Sequence, residues 1–162
     1  MYRSKCVTVV VLVFLAISHA ASAEDGNIKF HLNKIEPYFI DLSRMSEHLR
    51  GGDRDIAIIM SADSLDCYRL LDHISDLLFA HSLIRDVNEQ LRLEALIQVR
   101  VQTARKIMQE YDNKTSKLLS LVRASGLSVK ANRYQEDLKS CISFLRSMDR
   151  EASRTRGSTE IR

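Results

Sequence analysis

The chain has no tryptophan, one proline and five glycines among its 162 residues, and aromatic side chains make up only 6% of it. So few turn formers and strand punctuators exclude a many-stranded sheet as the main architecture and favour long helices. A core without tryptophan has to be built mainly from Leu, Ile, Val and Met. Several chemical signatures are missing too. There is no Gly-x-Ser-x-Gly elbow, no glycine-rich phosphate loop, no Cys-x-x-Cys pair and no Cys-x-x-Cys-His haem attachment. These absences argue against an enzyme and against any bound cofactor. A run long enough to span a bilayer core, ~20 apolar residues, is missing as well.

What the chain does have begins at its N-terminus. Arg3 and Lys5 precede an apolar stretch from Val7 to Ile17 that only Thr8 interrupts, and Ala21-Ser22-Ala23 stands ahead of Glu24 and Asp25. A cationic start, a short apolar run and small residues in an A-x-A arrangement make up a secretory signal peptide. Residues 1–23 are therefore expected to be removed, leaving a soluble chain from Glu24 that works as a secreted, extracellular protein, or in a bacterial periplasm. Residues 24–152 are enough for one domain with a real core, and 153–162 read as a flexible basic tail.

The formal charge of +3 includes Arg3 and Lys5, so the exported chain is close to neutral. Its halves differ more. Residues 24–91 carry 13 acidic and 7 basic side chains, whereas 92–162 carry 8 acidic and 15 basic. Either the two halves pack together and complement each other, or the second half offers a basic surface to an anionic partner such as a sulfated glycan, a lipid headgroup or an acidic receptor face. Export and near-neutrality exclude nucleic acid. Cys6 leaves with the signal, so Cys67 and Cys141 remain, and an even pair in an oxidising compartment is expected to form a disulfide. That bridge would close a loop of about 75 residues and contribute ~4 kcal/mol in the chain-entropy treatment.

Apolar periodicity predicts an all-α bundle of about four helices. Residues 24–33 read as a loose lead-in, with Ile28, Phe30 and Leu32 alternating. Ile35, Tyr38, Phe39, Leu42, Met45 and Leu49 share one helical face, with Pro37 placed in a first turn and Gly51-Gly52 as the stop. Residues 53–60 are ambiguous. Ser61 and Asp63 both offer N-caps for a helix whose stripe is Cys67, Leu71, Ile74, Leu78 and His81, widened by Leu70 and Leu77. Asp86-Val87-Asn88-Glu89 is a capping box. It opens a heptad-type seam of Ile97, Val101, Ala104, Met108, Tyr111, Thr115, Leu118 and Val122. Ser125-Gly126 ends that seam, and Ser128 caps a last helix carrying Tyr134, Leu138, Cys141, Ile142, Leu145 and Met148. The rival arrangement is one long helix over residues 64–124, folded as a coiled-coil hairpin, which the lack of Gly or Pro between Ala80 and Asp86 leaves open.

Candidate sites are few. His73 and His81 lie eight residues apart and could share a metal with Asp72 or Asp76, but the three- or four-residue ligand step of strong helical sites is missing, so no metal is expected. Asp53-Arg54-Asp55, Asp63 and Asp66 lack the alternating ligands and central glycine of a calcium loop. Arg105, Lys106, Lys114, Lys117 and Arg123 lie along one side of the long helix, as a solvated face or a basic contact surface. Asn113-Lys114-Thr115 fits the N-glycosylation sequon, with Asn113 outermost and Thr115 turned inward.

Two segments carry a family resemblance. Cys67-Tyr68-Arg69-Leu70-Leu71-Asp72-His73-Ile74 resembles the mid-chain helix of the class II helical cytokines, the interleukin-ten and interferon-gamma relatives. Val129-Lys130-Ala131 through Asp137-Leu138, with Ile142-Ser143-Phe144-Leu145, resembles that group's final helix. Together they cover about a quarter of the exported chain. The group has more cysteines than this chain, and its six-helix layout would need breaks within 53–60 and 80–90. The resemblance implies a receptor-binding ligand, often an intertwined homodimer, with no catalytic site. The reading carried forward is an exported all-α protein that binds another protein as a cytokine-like ligand, through the exposed face of the first helix and the basic side of the long one. A bacterial periplasmic chaperone or small-ligand carrier is the alternative.

Overall fold

The computed structural model describes the backbone of residues 27–159 and the side chains of residues 27–151. The expected signal peptide and the last three residues lie outside the described residues. Four helices follow one another: α1 over 27–48, α2 over Gly51–Leu83, α3 over Val87–Leu119 and α4 over Ser125–Thr159. There is no strand among the described residues.

The helices form where apolar residues recur every three or four positions, because one stripe can then be buried along its whole length. In α1 the buried residues are Ile28, Leu32, Ile35, Tyr38 and Leu42. Ile28 and Leu32 continue the register of Ile35, so residues 27–33 are helical rather than a loose lead-in. Phe30, which an extended reading would have placed beside them, points outward. Pro37 therefore stands inside α1 and not in its first turn. It lies on the exposed side, and the carbonyl it cannot serve belongs to the exposed Asn33, which water can reach.

The junctions differ from expectation in informative ways. Gly51 was expected to end α1 but opens α2. It holds φ at +56°, a left-handed value that costs glycine little, directly after the extended Arg50. Ile56 and Met60 fall in register with Cys67 and Leu71, so the ambiguous run 53–60 becomes the front of α2. Ser61 and Asp63 thus lie inside a helix instead of capping one. Ser61 Oγ donates to the Phe39 carbonyl at 2.7 Å, and Asp63 faces α3 through Lys114.

The turn at 84–86 excludes one long helix. Asp86 accepts hydrogen bonds from the backbone N–H groups of Asn88 and Glu89 at 2.8 and 3.0 Å, as a helix cap does. Gln90 Nε2 closes the turn onto the Ile84 carbonyl at 2.7 Å. At the opposite end α4 begins at Ser125, three residues before the expected Ser128 cap. The Asp53 carboxylate, in the first turn of α2, accepts from the backbone N–H groups of Arg123 and Ala124 at 2.9 and 3.0 Å. One carboxylate thereby ties the start of α2 to the α3–α4 turn. The backbone of α4 continues through Thr159, into the stretch expected to be a flexible tail.

Short turns make successive helices antiparallel. α3 packs against both α2 and α4, while α2 and α4 barely touch. α1 meets α2 through Ser61 and the Phe39–Tyr68 ring pair. It meets α4 through Tyr38, His31 and the Lys34–Asp137 and Lys130–Asp41 ion pairs. The bundle is therefore square in section, with α2 diagonal to α4 and α1 diagonal to α3. Its core runs along the axis through Ile35, Leu42, Met60, Leu71, Ile74, Met108, Leu127, Tyr134, Leu138 and Leu145, each nearly fully buried.

Met108 lies in the middle of the α3 seam with no exposed surface. Met108→Ala should lower unfolding stability by ~2–5 kcal/mol without loss of helical circular dichroism before the melt. An unchanged denaturation midpoint would mean that this seam is not core.

Candidate interaction surface

The five cations proposed as a basic face do not share one fate. Arg105 and Lys114 sit at the two borders of α3, where it meets its neighbours. Arg105 Nη1 lies 2.6 Å from Asp149 Oδ2 of α4, and Lys114 Nζ lies 2.8 Å from Asp63 Oδ1 of α2. Both are fasteners between helices more than free charges. Lys106 and Lys117 are exposed on the outer side of α3, and Arg123 is exposed in the turn after it. The acidic first half and basic second half do meet along the seams between helices, at Lys114–Asp63 and Lys130–Asp41 and through Tyr111 Oη, which donates to Asp66 at 2.7 Å.

A more cleft-like surface lies between α1 and α2. Phe39, Ile40, Ser43, Arg44 and Ser46 of α1 face Ile58, Ser61, Ala62 and Leu65 of α2 around an open volume of about 530 Å³. Ser43, Ser46, Ser61 and Ala62 contribute small side chains to it, and Ile40 and Ile58 beside them are 40% and 46% exposed. Those two isoleucines break the rule that exposed helix positions are polar, which was the available sequence signal. Ile58, however, fell in the run whose structure the pattern left open. Because α1 and α3 are diagonal, this cleft and the outer face of α3 point in opposite directions, so one flat partner cannot cover both.

His73 and His81, considered as metal ligands, have separate surroundings. His81 is buried, with Nε2 3.2 Å from Glu94 Oε1 of α3. His73 is exposed and lines a cup of about 190 Å³ on the α2–α3 seam, together with Asp66, Arg69, Leu70, Arg100 and Thr103. No group of three or more His, Cys, Asp or Glu side chains suited to a metal occurs among the described residues. No helix among the described residues is long and apolar enough to cross a membrane.

The expected Cys67–Cys141 bridge is not formed; both are free, buried thiols. Each stripe turns its cysteine inward, and each thiol makes its polar contact with a different side chain. Cys67 Sγ lies 3.8 Å from Tyr134 Oη, and Cys141 Sγ lies 3.5 Å from His31 Nδ1. Burial pushes the Cys67 thiol well up and the Cys141 thiol up to about 12, so neither ionises readily as a nucleophile. His31 stacks on Phe144 at 4.8 Å, and burial, reinforced by Lys34, lowers its pKa from 6.5 while Asp137 opposes the shift. Asn113 is exposed on α3 as expected, but Thr115 of the same sequon is fully buried.

Cys67→Ser should lower the melting temperature equally with and without reductant, because no bridge is at stake. A loss confined to oxidising buffer would show that the bridge forms in solution. His31 carries a second prediction. Its folded pKa is depressed, so the unfolded chain binds the proton more readily, and stability should fall as pH drops below 6.5. His31→Gln should flatten that acid slope relative to the unmodified protein. Equal slopes in paired denaturant titrations would place the acid sensitivity elsewhere. In comparisons with known proteins, no family model, no curated protein and no solved structure matches this chain.

Proposed function

We propose that the chain is an exported, non-catalytic helical protein that acts by binding another protein, as a cytokine-like receptor ligand. The observation that carries this reading is the α1–α2 cleft, where Ile40 and Ile58 stay exposed among small serine and alanine side chains. A folded bundle gains nothing by leaving such side chains in water, whereas a partner's apolar anchor seated between them removes that surface from solvent. Arg44 at the rim offers a charge for orientation. The signal-like N-terminus and the resemblance of residues 67–74 and 129–145 to class II helical cytokines point the same way. A second copy is the other occupant of the same cleft.

A second reading, a periplasmic chaperone gripping apolar segments, draws on a different feature. Phe79, Leu83, Val87, Leu91, Leu96 and Val99 are all more than two-fifths exposed at the end of the bundle formed by the α2–α3 turn.

Labelled protein should bind saturably to the surface of cells from its own source. Ile40→Asp combined with Ile58→Asp should abolish that binding without shifting the melting temperature. Binding that survives both changes would overturn the cleft as the contact site. Self-association that disappears in the same variant would identify the second copy as occupant. Binding lost instead on Phe79→Ser with Leu83→Ser would favour the chaperone reading.

A further inference from the structure

We propose that the cup on the α2–α3 seam binds one sulfated sugar unit of an extracellular glycan. Asp66, Arg69, Leu70 and His73 stand at three- and four-residue steps along α2, and Arg100 and Thr103 stand three apart on the antiparallel α3. Each set forms a single helical stripe, and the register between the two helices brings both stripes to one opening of about 190 Å³.

The donors and acceptors of the cup select the ligand. Arg69 and Arg100 form no ion pair among the described residues, unlike Arg105 and Lys114 on the same seam or beside it. Two guanidinium groups, donors only and always charged, therefore line one opening with no carboxylate at ion-pair distance, the Asp66 carboxylate of the same cup being engaged by Tyr111. A tetrahedral oxoanion offers the oxygens that such planar forks grip. A bare oxoanion leaves the rest of the cup unmatched. Asp66 accepts from Tyr111 Oη on one carboxylate oxygen, Oδ2, and Oδ1 has acceptor capacity to spare. The Thr103 hydroxyl donates to the Val99 carbonyl at 2.8 Å and so presents lone pairs to the cup. Both want hydroxyl donors. The half-buried Leu70 at the base supplies an apolar surface for the C–H face of a ring.

One sulfated hexose has all three parts: a sulfate for Arg69 and Arg100, hydroxyls for Asp66 and Thr103, and a C–H face for Leu70. The volume is below the ~300–1,000 Å³ of pockets for drug-sized ligands, which suits a single unit of a chain that continues into solvent. Lys106 and Lys117, exposed further along α3, lie where neighbouring sulfates could run. The proposal deepens the extracellular reading and rests on it only for meeting such a polymer; the cup's chemistry stands or falls in a binding experiment with purified protein.

The test is calorimetric titration of protein purified from cells expressing the full chain. The probe is a fully sulfated heparin disaccharide at physiological ionic strength. Arg69→Ala with Arg100→Ala should weaken binding at least tenfold. Arg133→Ala with Arg146→Ala, an equal loss of exposed charge on α4, should leave it unchanged. Asp66→Ala should weaken the disaccharide several-fold yet strengthen inorganic sulfate, because a repelling carboxylate is removed along with a hydroxyl acceptor. Opposite responses of the two probes, with helical circular dichroism retained, establish a sugar site. The proposal fails if the purified protein does not bind the disaccharide or if both arginine pairs weaken it equally. It fails too if sulfate binds as tightly as the disaccharide, or if an acidic peptide competes at equal concentration. None of these outcomes depends on whether cells export the chain or a receptor occupies the α1–α2 cleft.

Discussion

Tyr134 is the side chain on which the bundle's geometry depends most. It projects from α4 with no exposed surface, packs its ring 5.3 Å from that of Tyr38 on α1, and places its hydroxyl 3.8 Å from the Cys67 sulfur on α2. A single residue thus sets the spacing of three helices, including the diagonal pair that otherwise scarcely meets. The burial of a large aromatic ring makes the site energetically heavy, and its hydroxyl needs a polar neighbour there, which a soft thiol supplies weakly. Around this point the charged fasteners fall on the seams between adjacent helices: Lys114 with Asp63, Arg105 with Asp149, Lys130 with Asp41. Apolar contacts along the axis hold the helices together, and ion pairs along the seams fix which face meets which.

That division explains what could be read from the sequence. The stripes of α2, α3 and α4 were legible because burial along a helix axis leaves a repeating mark, and Val101, Ala104, Met108 and Thr115 are buried where the seam placed them. Asp86 was legible as a cap for a similar reason, since its role is local. The junction at Gly51 was not, because the same left-handed glycine that ends one helix can start the next within a residue. The thiol pairing failed for a more general reason. Periodicity tells which way Cys67 and Cys141 face but not what each meets inside the bundle, and there each sulfur has a different companion, Tyr134 for Cys67 and His31 for Cys141. The cup at Arg69 and Arg100 was invisible on either helix alone. It exists only through the register between them.

The square arrangement also constrains how the surface can be used. The first helix and the outer side of the third were expected to form a joint contact region. They lie on opposite corners, whereas the polar cup borders the apolar cleft along α2, Ala62 of the cleft standing four residues before Asp66 of the cup. What touches the outer side of α3 leaves the α1–α2 cleft uncovered. A molecule held on a surface by its charged side would still present its apolar cleft to a second partner.

Both thiols are shielded by the fold and not by chemistry of their own, and this ties their fate to the opening of the bundle. While it is closed, Tyr134 and His31 occupy the space around the two sulfurs and burial keeps them protonated. Where it opens under oxidising conditions, both sulfurs are free to react with each other or with oxidants, and a product that carries added bulk has to find room in a packed core. Each opening event is therefore a chance of irreversible exit from the native population. The working lifetime of the molecule would then be set by how often the helices part, a kinetic property that equilibrium stability alone does not determine.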